Sequence, residues 1–197
     1  MASPMQQTNS GLFNLPGELR NRIYRLVLVE GVDEVHGYIE YTNTGYDRPG
    51  LLNTCKAVRL EARTIFYYEN NFFTTPTKYD STTLLAWRQH LPTLGIATKG
   101  IKARIRMLWG SEANWPNLMI WLQRFHAEDV TIPALSMAKI SGHVQSKVNH
   151  YIIAGLFESA KKLRDQPWIV AEGVLVQQRP VLGFLDTRWN ENSNERQ

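Results

Sequence analysis

The chain has 197 residues, of which 43% are hydrophobic and 20% charged, and it carries six Trp, eight Tyr and seven Phe. This composition excludes a disordered chain, and a chain of this length buries roughly 70% of its unfolded surface without a disulfide or metal staple. Its formal net charge of +4 is mildly basic, which permits a nucleic-acid partner without requiring one.

The compartment follows from cysteine usage and from the N-terminus. The single cysteine, Cys55, excludes an internal disulfide and suits a reducing compartment. The polar start, MASPMQQTNSG, has no apolar signal core, and no apolar run approaches the roughly 18 residues of a membrane helix. We therefore expect an intracellular protein, cytoplasmic or nuclear, that does not enter a membrane.

The expected domain organisation is simple. Residues 11–189 should form one globular domain, with a helical part over 11–75 and an α/β part over 76–189. The polar segments 1–10 and 190–197 should be a disordered lead-in and tail.

A first helix is predicted to begin at Leu15-Pro16, where the missing N–H of Pro16 costs nothing, and to end near Gly31. Helical spacing places its apolar residues on one face: Leu15, Leu19, Ile23, Leu26 and Val27. Turn signals around alternating residues predict a strand or hairpin over 32–50.

A second helix is predicted from about Leu51 to Tyr68, with an apolar face made of Leu51, Leu52, Cys55, Val58, Ala62, Ile65 and Phe66. Sharing this face, Cys55 is expected to be buried and inert.

The middle of the chain alternates helix and strand. Ser81 is predicted to cap a helix, TTLLAWRQHL, that Pro92 stops. The segment GIKARIRMLWG alternates apolar and basic residues over 100–110, which predicts a half-buried strand. A strongly amphipathic helix should begin near Pro116, and 129–142 stay ambiguous between loop and short edge strand.

The C-terminal third should open with the longest helix, from His143 to about Arg164. Its predicted inner face consists of Val144, Val148, Tyr151, Ile152, Leu156 and Leu163. Two short strands are predicted next, AEGVLVQQ over 171–178 and PVLGFLD over 180–186. The fold class expected from all elements is α+β: an N-terminal packed helix pair with an inserted β-hairpin, then a small, mostly antiparallel sheet with helices on one side.

The triplet E-x-R occurs twice, as Glu18-Leu19-Arg20 and as Glu61-Ala62-Arg63, each inside a predicted helix. Residues two apart on a helix do not face each other, so pairing within a triplet is not expected. A Glu on one helix can instead reach an Arg on the other. We therefore interpret Glu18, Arg20, Glu61 and Arg63 as structural ion-pairing residues that fix how the two helices dock, and not as a catalytic dyad.

The same residues carry a resemblance. FNLPGELRNRIYRLVL followed by LLNTCKAVRLEARTIFYYENNFF resembles the fungal F-box-like family with two E-x-R motifs, over Phe13 to Phe73 and more weakly from Trp87 to Trp109. The resemblance implies a non-enzymatic protein-interaction module, a substrate adaptor of a ubiquitin ligase. The positions that would contact the adaptor subunit of a cullin-type ligase are Leu15, Pro16, Leu19 and Ile23. This chain departs from a true F-box by the inserted segment 30–50, which could occupy or reshape that face.

An alternative function rests on the basic side of the predicted strand. Alternation puts Lys102, Arg104 and Arg106 on one face at about 6.5–7 Å spacing, which is near the spacing of phosphates along a nucleic-acid strand. The competing interpretation is a solvated strand face whose like charges prevent aggregation.

A third alternative is an enzyme with an apolar pocket lined by Trp87, Trp109, Trp115 or Trp121. The five histidines show no metal-ligand spacing, and no nucleophile or phosphate-loop motif occurs. We therefore predict no catalytic residue, no metal and no cofactor.

Overall fold

The structure is a computed structural model, and it describes residues 11–29, 38–105, 113–130 and 144–191. It mixes helices with a small sheet, so the predicted α+β class is confirmed. The helices are α1 (Gly17–Leu28), α2 (Leu51–Thr54), α3 (Lys56–Glu69), α4 (Thr82–Thr93), α5 (Trp115–His126), α6 (Val144–Lys162), α7 (Trp168–Leu175) and α8 (Arg179–Leu185). The strands are β1 (Tyr38–Thr42), β2 (Gly45–Tyr46), β3 (Asn71–Thr74) and β4 (Lys102–Ile105).

The four strands form one sheet in the order β2-β1-β3-β4. Only the hairpin pair β1–β2 is antiparallel; β3 runs parallel to both β1 and β4, with Phe72 opposite Ile39 and Ala103. The prediction of a mostly antiparallel sheet was wrong. The physical reason is that helical segments lie between the strands that pair: α2 and α3 separate the β1–β2 hairpin from β3, and α4 separates β3 from β4. Such crossover connections allow paired strands to run parallel, whereas a tight hairpin pairs them antiparallel.

The break between α2 and α3 falls at Cys55, so the predicted continuous helix over 51–68 was wrong. Cys55 has an extended backbone, with φ −152° and ψ 166°, and its sulfur accepts the backbone N–H of Val58 at 3.5 Å. It therefore caps the start of α3 and is exposed, which also contradicts its predicted burial. Arg59 donates from Nε to the carbonyl of Leu52 at 2.9 Å and so satisfies a carbonyl of α2.

The core beside the sheet is aromatic. Tyr41 and Trp87 stack with ring centroids 4.5 Å apart, and the hydroxyls of Tyr46 and Tyr67 hydrogen-bond to each other. Burial raises the pKa of both Tyr41 and Tyr67 above the ordinary range. This cluster joins the hairpin, α3 and α4 into one packed unit.

The end of α4 and its start differ in detail from the prediction. Asp80, not Ser81, accepts the backbone N–H of Thr82, at 2.8 Å, while Ser81 Oγ accepts from Arg124 of α5 at 2.9 Å. Pro92 lies inside the last turn of the helix. Ser81 therefore links α4 to α5, and the carboxylate of Asp80 caps the start of α4.

The C-terminal third is helical, and the two predicted strands over 171–178 and 180–186 were wrong. The β-branched residues of WIVAEGVL imitate a strand, yet the buried residues Ala171 and Leu175 are four apart, as one face of a helix requires. Pro167 precedes α7, and a proline also occupies the first turn of α8, where prolines favour helix starts.

Helix α6 packs on α5 by a face that the sequence predicts only in part. Leu156 is buried as expected, and Phe157 makes edge contacts with Trp121 and Phe125. Val148 and Tyr151, predicted to face inward, are exposed. The real inner face is rotated toward Ile153, Phe157 and Ala160.

Candidate interaction surface

The two E-x-R triplets meet across the α1–α3 contact. Arg20 donates from Nε to Glu61 Oε2 at 2.9 Å and from Nη2 to Glu61 Oε1 at 3.0 Å, which is a bidentate pair. Tyr24 adds a hydroxyl donor to Glu61 Oε2 at 3.0 Å. The Arg20 guanidinium holds the pKa of the Glu61 carboxyl below its ordinary value. The predicted cross-helix pair is confirmed for Arg20 and Glu61.

Two further bonds tie α1 to α3 beyond this pair. Arg25 and Glu69 form an ion pair at 2.9 Å. The buried Asn70 donates from Nδ2 to the carbonyls of Leu28, at 2.7 Å, and Phe66, at 3.0 Å, so one amide covers C-terminal carbonyls of both helices. The orientation of α1 on α3 is therefore fixed at both ends.

The other members of the triplets do not form a second cross-helix pair. Glu18 is exposed in the first turn of α1 and has no ion pair within the described residues. Arg63 donates from Nη1 to the carbonyl of Leu94, beyond α4, and its guanidinium lies against Gly95, whose φ is +67°. Arg63 thus ties α3 to the α4–β4 loop, a role that the sequence did not indicate.

Helix α1 buries the face opposite the one predicted. Tyr24 and Leu28 are fully buried, whereas Leu19 is 47% exposed, Leu26 80% and Val27 57%. With about 3.6 residues per turn, Leu19 and Leu26 lie on the opposite side from Leu28. We call the outward side of α1, formed by Leu19, Ile23, Leu26 and Val27, the α1 outer face. The apolar face predicted for the first helix is therefore not its buried face, because Tyr24 and Leu28 fill the contact with α3.

Two further positions expected to contact a partner, Leu15 and Pro16, precede this face along the chain. Leu15 and Ile23 are half-buried, and Pro16 is exposed just before the helix begins. The hairpin part of the 30–50 insertion is built into the sheet as β1 and β2 and leaves Leu26 exposed; residues 30–37 lie outside the described ranges. Arg22, also exposed, has no ion pair in the described chain.

The basic strand is present as β4, at one edge of the described sheet. Lys102 is exposed, as predicted. The side chain of Arg104 and the whole of Arg106 lie outside what the structure describes, so the predicted row of three cations stays a prediction.

The opposite side of β4 lines a cavity of about 350 Å³ beneath α4. Its apolar walls come from Tyr41, Leu84, Trp87, Leu91, Ile101, Ala103, Ile105 and Val130, and its polar residues are Arg88, Thr98 and Lys99. Of the four tryptophans predicted to line a pocket, Trp87 does so; Trp115 and Trp121 are core residues, and Trp109 is outside the described residues. The sequence offered no signal for Arg88, which sits singly in an ordinary amphipathic helix.

The described residues contain no cluster of three or more His, Cys, Asp or Glu side chains placed to hold a metal ion. None of the helices in these ranges has the length and apolar character needed to cross a membrane. Comparison of the chain with protein-family models, with curated proteins and with solved structures gives no match.

Proposed function

We propose that this chain is a non-enzymatic protein-interaction module that docks through the α1 outer face. The observation that carries the proposal is an apolar stripe, Leu19, Leu26 and Val27, left exposed on a helix whose other side is fully packed. Contiguous exposed apolar surface marks interaction sites on soluble proteins, and an amphipathic helix face laid into an apolar groove is a recurring recognition mode.

The ion pair between Arg20 and Glu61 supports this proposal because it fixes the orientation of α1 on α3 before a partner binds. A docking helix that is already ordered loses less conformational entropy on binding, and preorganisation raises affinity without a new contact. Asn70 and the pair of Arg25 with Glu69 fix the far end in the same way. The E-x-R motifs would then serve the surface without touching the partner.

The partner we propose has a groove of apolar side chains with acidic residues at its border. Arg22 lies beside the stripe and carries a charge that no described residue neutralises, so an acidic border would complement it. The resemblance to fungal F-box-like proteins identifies the candidate as the adaptor subunit of a cullin-type ubiquitin ligase. On this proposal the rest of the chain recruits or presents a substrate.

The test is a calorimetric titration of the full chain with the purified adaptor subunit. Leu26→Asp places a charge in the centre of the stripe and should lower affinity at least tenfold, since a buried unpaired charge is strongly unfavourable at an interface. Leu60→Asp is the matched control, because Leu60 is 48% exposed on α3 and does not belong to the stripe. Absence of binding by the wild-type chain, or equal loss in both variants, would overturn the proposal.

A nucleic-acid partner is the second candidate, and the exposure of Lys102 on an edge strand is what favours it. The variant Lys102→Ala, Arg104→Ala, Arg106→Ala should then lose salt-dependent binding to generic DNA or RNA. The slope of log affinity against log salt concentration should fall by about one for each phosphate that the variant no longer neutralises. On the docking proposal the same triple variant keeps its protein partner.

A further inference from the structure

The cavity beneath α4 has the composition of a ligand site. Its volume of about 350 Å³ falls at the small end of the range that small-molecule pockets occupy, roughly 300–1,000 Å³. Most of the lining is apolar, and Tyr41 stacked on Trp87 forms an aromatic wall. A flat apolar body could stack on that wall.

The charged residues of the lining are both cations. Arg88 projects from α4, and Lys99 lies in the loop before β4. Neither makes an ion pair or a side-chain hydrogen bond within the part of the chain that the structure describes. No Asp or Glu belongs to the described lining. Two unneutralised cations beside an apolar wall favour an anionic group on a small apolar molecule.

The position of Arg88 strengthens this inference. The side chain is half-buried, and it also borders a neighbouring hollow lined by Phe125, Glu158 and Arg164. The acidic Glu128 of that hollow is already paired with Arg164 at 3.0 Å. Glu158, the other carboxylate of that hollow, forms no ion pair with Arg88 among the described residues. Arg88 therefore stays available to an anion on the side of Trp87.

We propose that this cavity binds a small amphipathic anion, a carboxylate or sulfonate on an aromatic or short aliphatic body. The body rests on Tyr41 and Trp87, and the anionic group is held by Arg88 with Lys99. Thr98 supplies a hydroxyl beside the charge. The site is distinct from the α1 outer face and does not depend on the docking proposal.

The test uses two probes that differ by one charge: 8-anilinonaphthalene-1-sulfonate and its uncharged analogue N-phenyl-1-naphthylamine, titrated into the full chain by fluorescence. Saturable one-site binding of the sulfonate by the wild type is expected. Arg88→Gln should weaken the sulfonate about tenfold, the factor that one charge-assisted hydrogen bond contributes, and leave the neutral probe unchanged. Arg22→Gln, an exposed cation elsewhere, should change neither.

A second variant fills the cavity with a larger side chain. Ala103→Phe places a ring in the cavity from β4 and should abolish binding of both probes, while Ala86→Phe makes the same exchange at an exposed position of α4 outside the lining and should bind normally. Far-UV circular dichroism checks that each variant is folded, and Arg88→Gln decides the question if Ala103→Phe does not fold. The proposal is overturned if the wild type shows no saturable binding, if Arg88→Gln weakens both probes alike or neither, or if a folded Ala103→Phe still binds.

Discussion

Glu61 is the residue of the second E-x-R triplet that binds the first, through its ion pair with Arg20. Its carboxylate accepts three hydrogen bonds, two from Arg20 and one from Tyr24. The pair is partly exposed to solvent, where ion pairs add little net stability. Its value lies in geometry: the bidentate contact permits one orientation of α1 on α3.

The lowered pKa of Glu61 gives a pH-dependent prediction. A carboxyl whose pKa is lower in the folded chain stabilises the fold above its unfolded pKa, about 4.5, and loses that contribution as pH falls through the folded value. Glu61→Gln should therefore lower the free energy of unfolding at pH 7, with the difference from wild type shrinking below about pH 4.5. Urea denaturation across pH measures it. Glu18→Gln, at the exposed Glu of the other triplet, which has no ion pair among the described residues, is the matched control.

Cys55 gives a prediction opposite to the one its sequence context favours. Because the thiol is exposed, a thiol reagent should label the native protein without prior unfolding. As the cap of α3, Cys55→Ser should be more stable than Cys55→Ala by about 1 kcal/mol, since serine is a preferred N-cap and alanine is not. Slow labelling that requires unfolding, or equal stability of the two variants, would contradict the cap assignment.

At the scale of elements, α1 and α6 illustrate how a helix can be apolar on more than one side. Helix α1 packs Tyr24 and Leu28 and leaves Leu26 outside. Helix α6 buries Phe157 and leaves Tyr151 outside. For α1 the exposed side lies next to Arg22, which has no ion pair among the described residues, and for that reason we propose a function for it.

Helix α6 also carries a buried histidine. His150 is 1% exposed, and burial lowers its pKa below the ordinary value of about 6.5. Below pH 6.5 the unfolded chain binds a proton that the folded histidine resists, so stability should fall by at most about 1.4 kcal/mol per pH unit for this one proton.

His150→Gln removes the titrating group and should reduce the fall in unfolding free energy between pH 7 and 5.5. His90→Gln, at an exposed position of α4, is the matched control for the substitution. Parallel pH profiles for His150→Gln and wild type would show that His150 does not set this dependence.

At the scale of the whole molecule, local patterns predicted the elements better than their arrangement. The hairpin, the strand at β4 and the amphipathic helices follow from periodicity and turn residues. The parallel order of β1, β3 and β4 does not, because strand direction depends on how crossovers return across the sheet. The helical C-terminus was missed because β-branched residues in α7 outweighed its spacing of buried positions.

The candidate site was predictable in its parts and not in its orientation. The pair of Arg20 with Glu61 could be predicted because a charged residue beside an apolar face needs a partner. Which side of α1 is buried could not, because Leu19 and Leu26 are as apolar as Tyr24 and Leu28, and only packing decides between them. The cavity depends on how α4, β1 and β4 come together to line it, which no local pattern encodes.

The most direct test of the docking surface is site-specific photo-crosslinking. Benzoylphenylalanine is placed at position 26 or, as the control, at position 60 on α3, and each full chain is irradiated with the adaptor subunit of a cullin-type ubiquitin ligase. The account predicts an adduct from position 26, competed away by excess unlabelled wild-type chain, and none from position 60. An adduct from position 60 alone, or no adduct from position 26 while the wild-type chain binds, would contradict it.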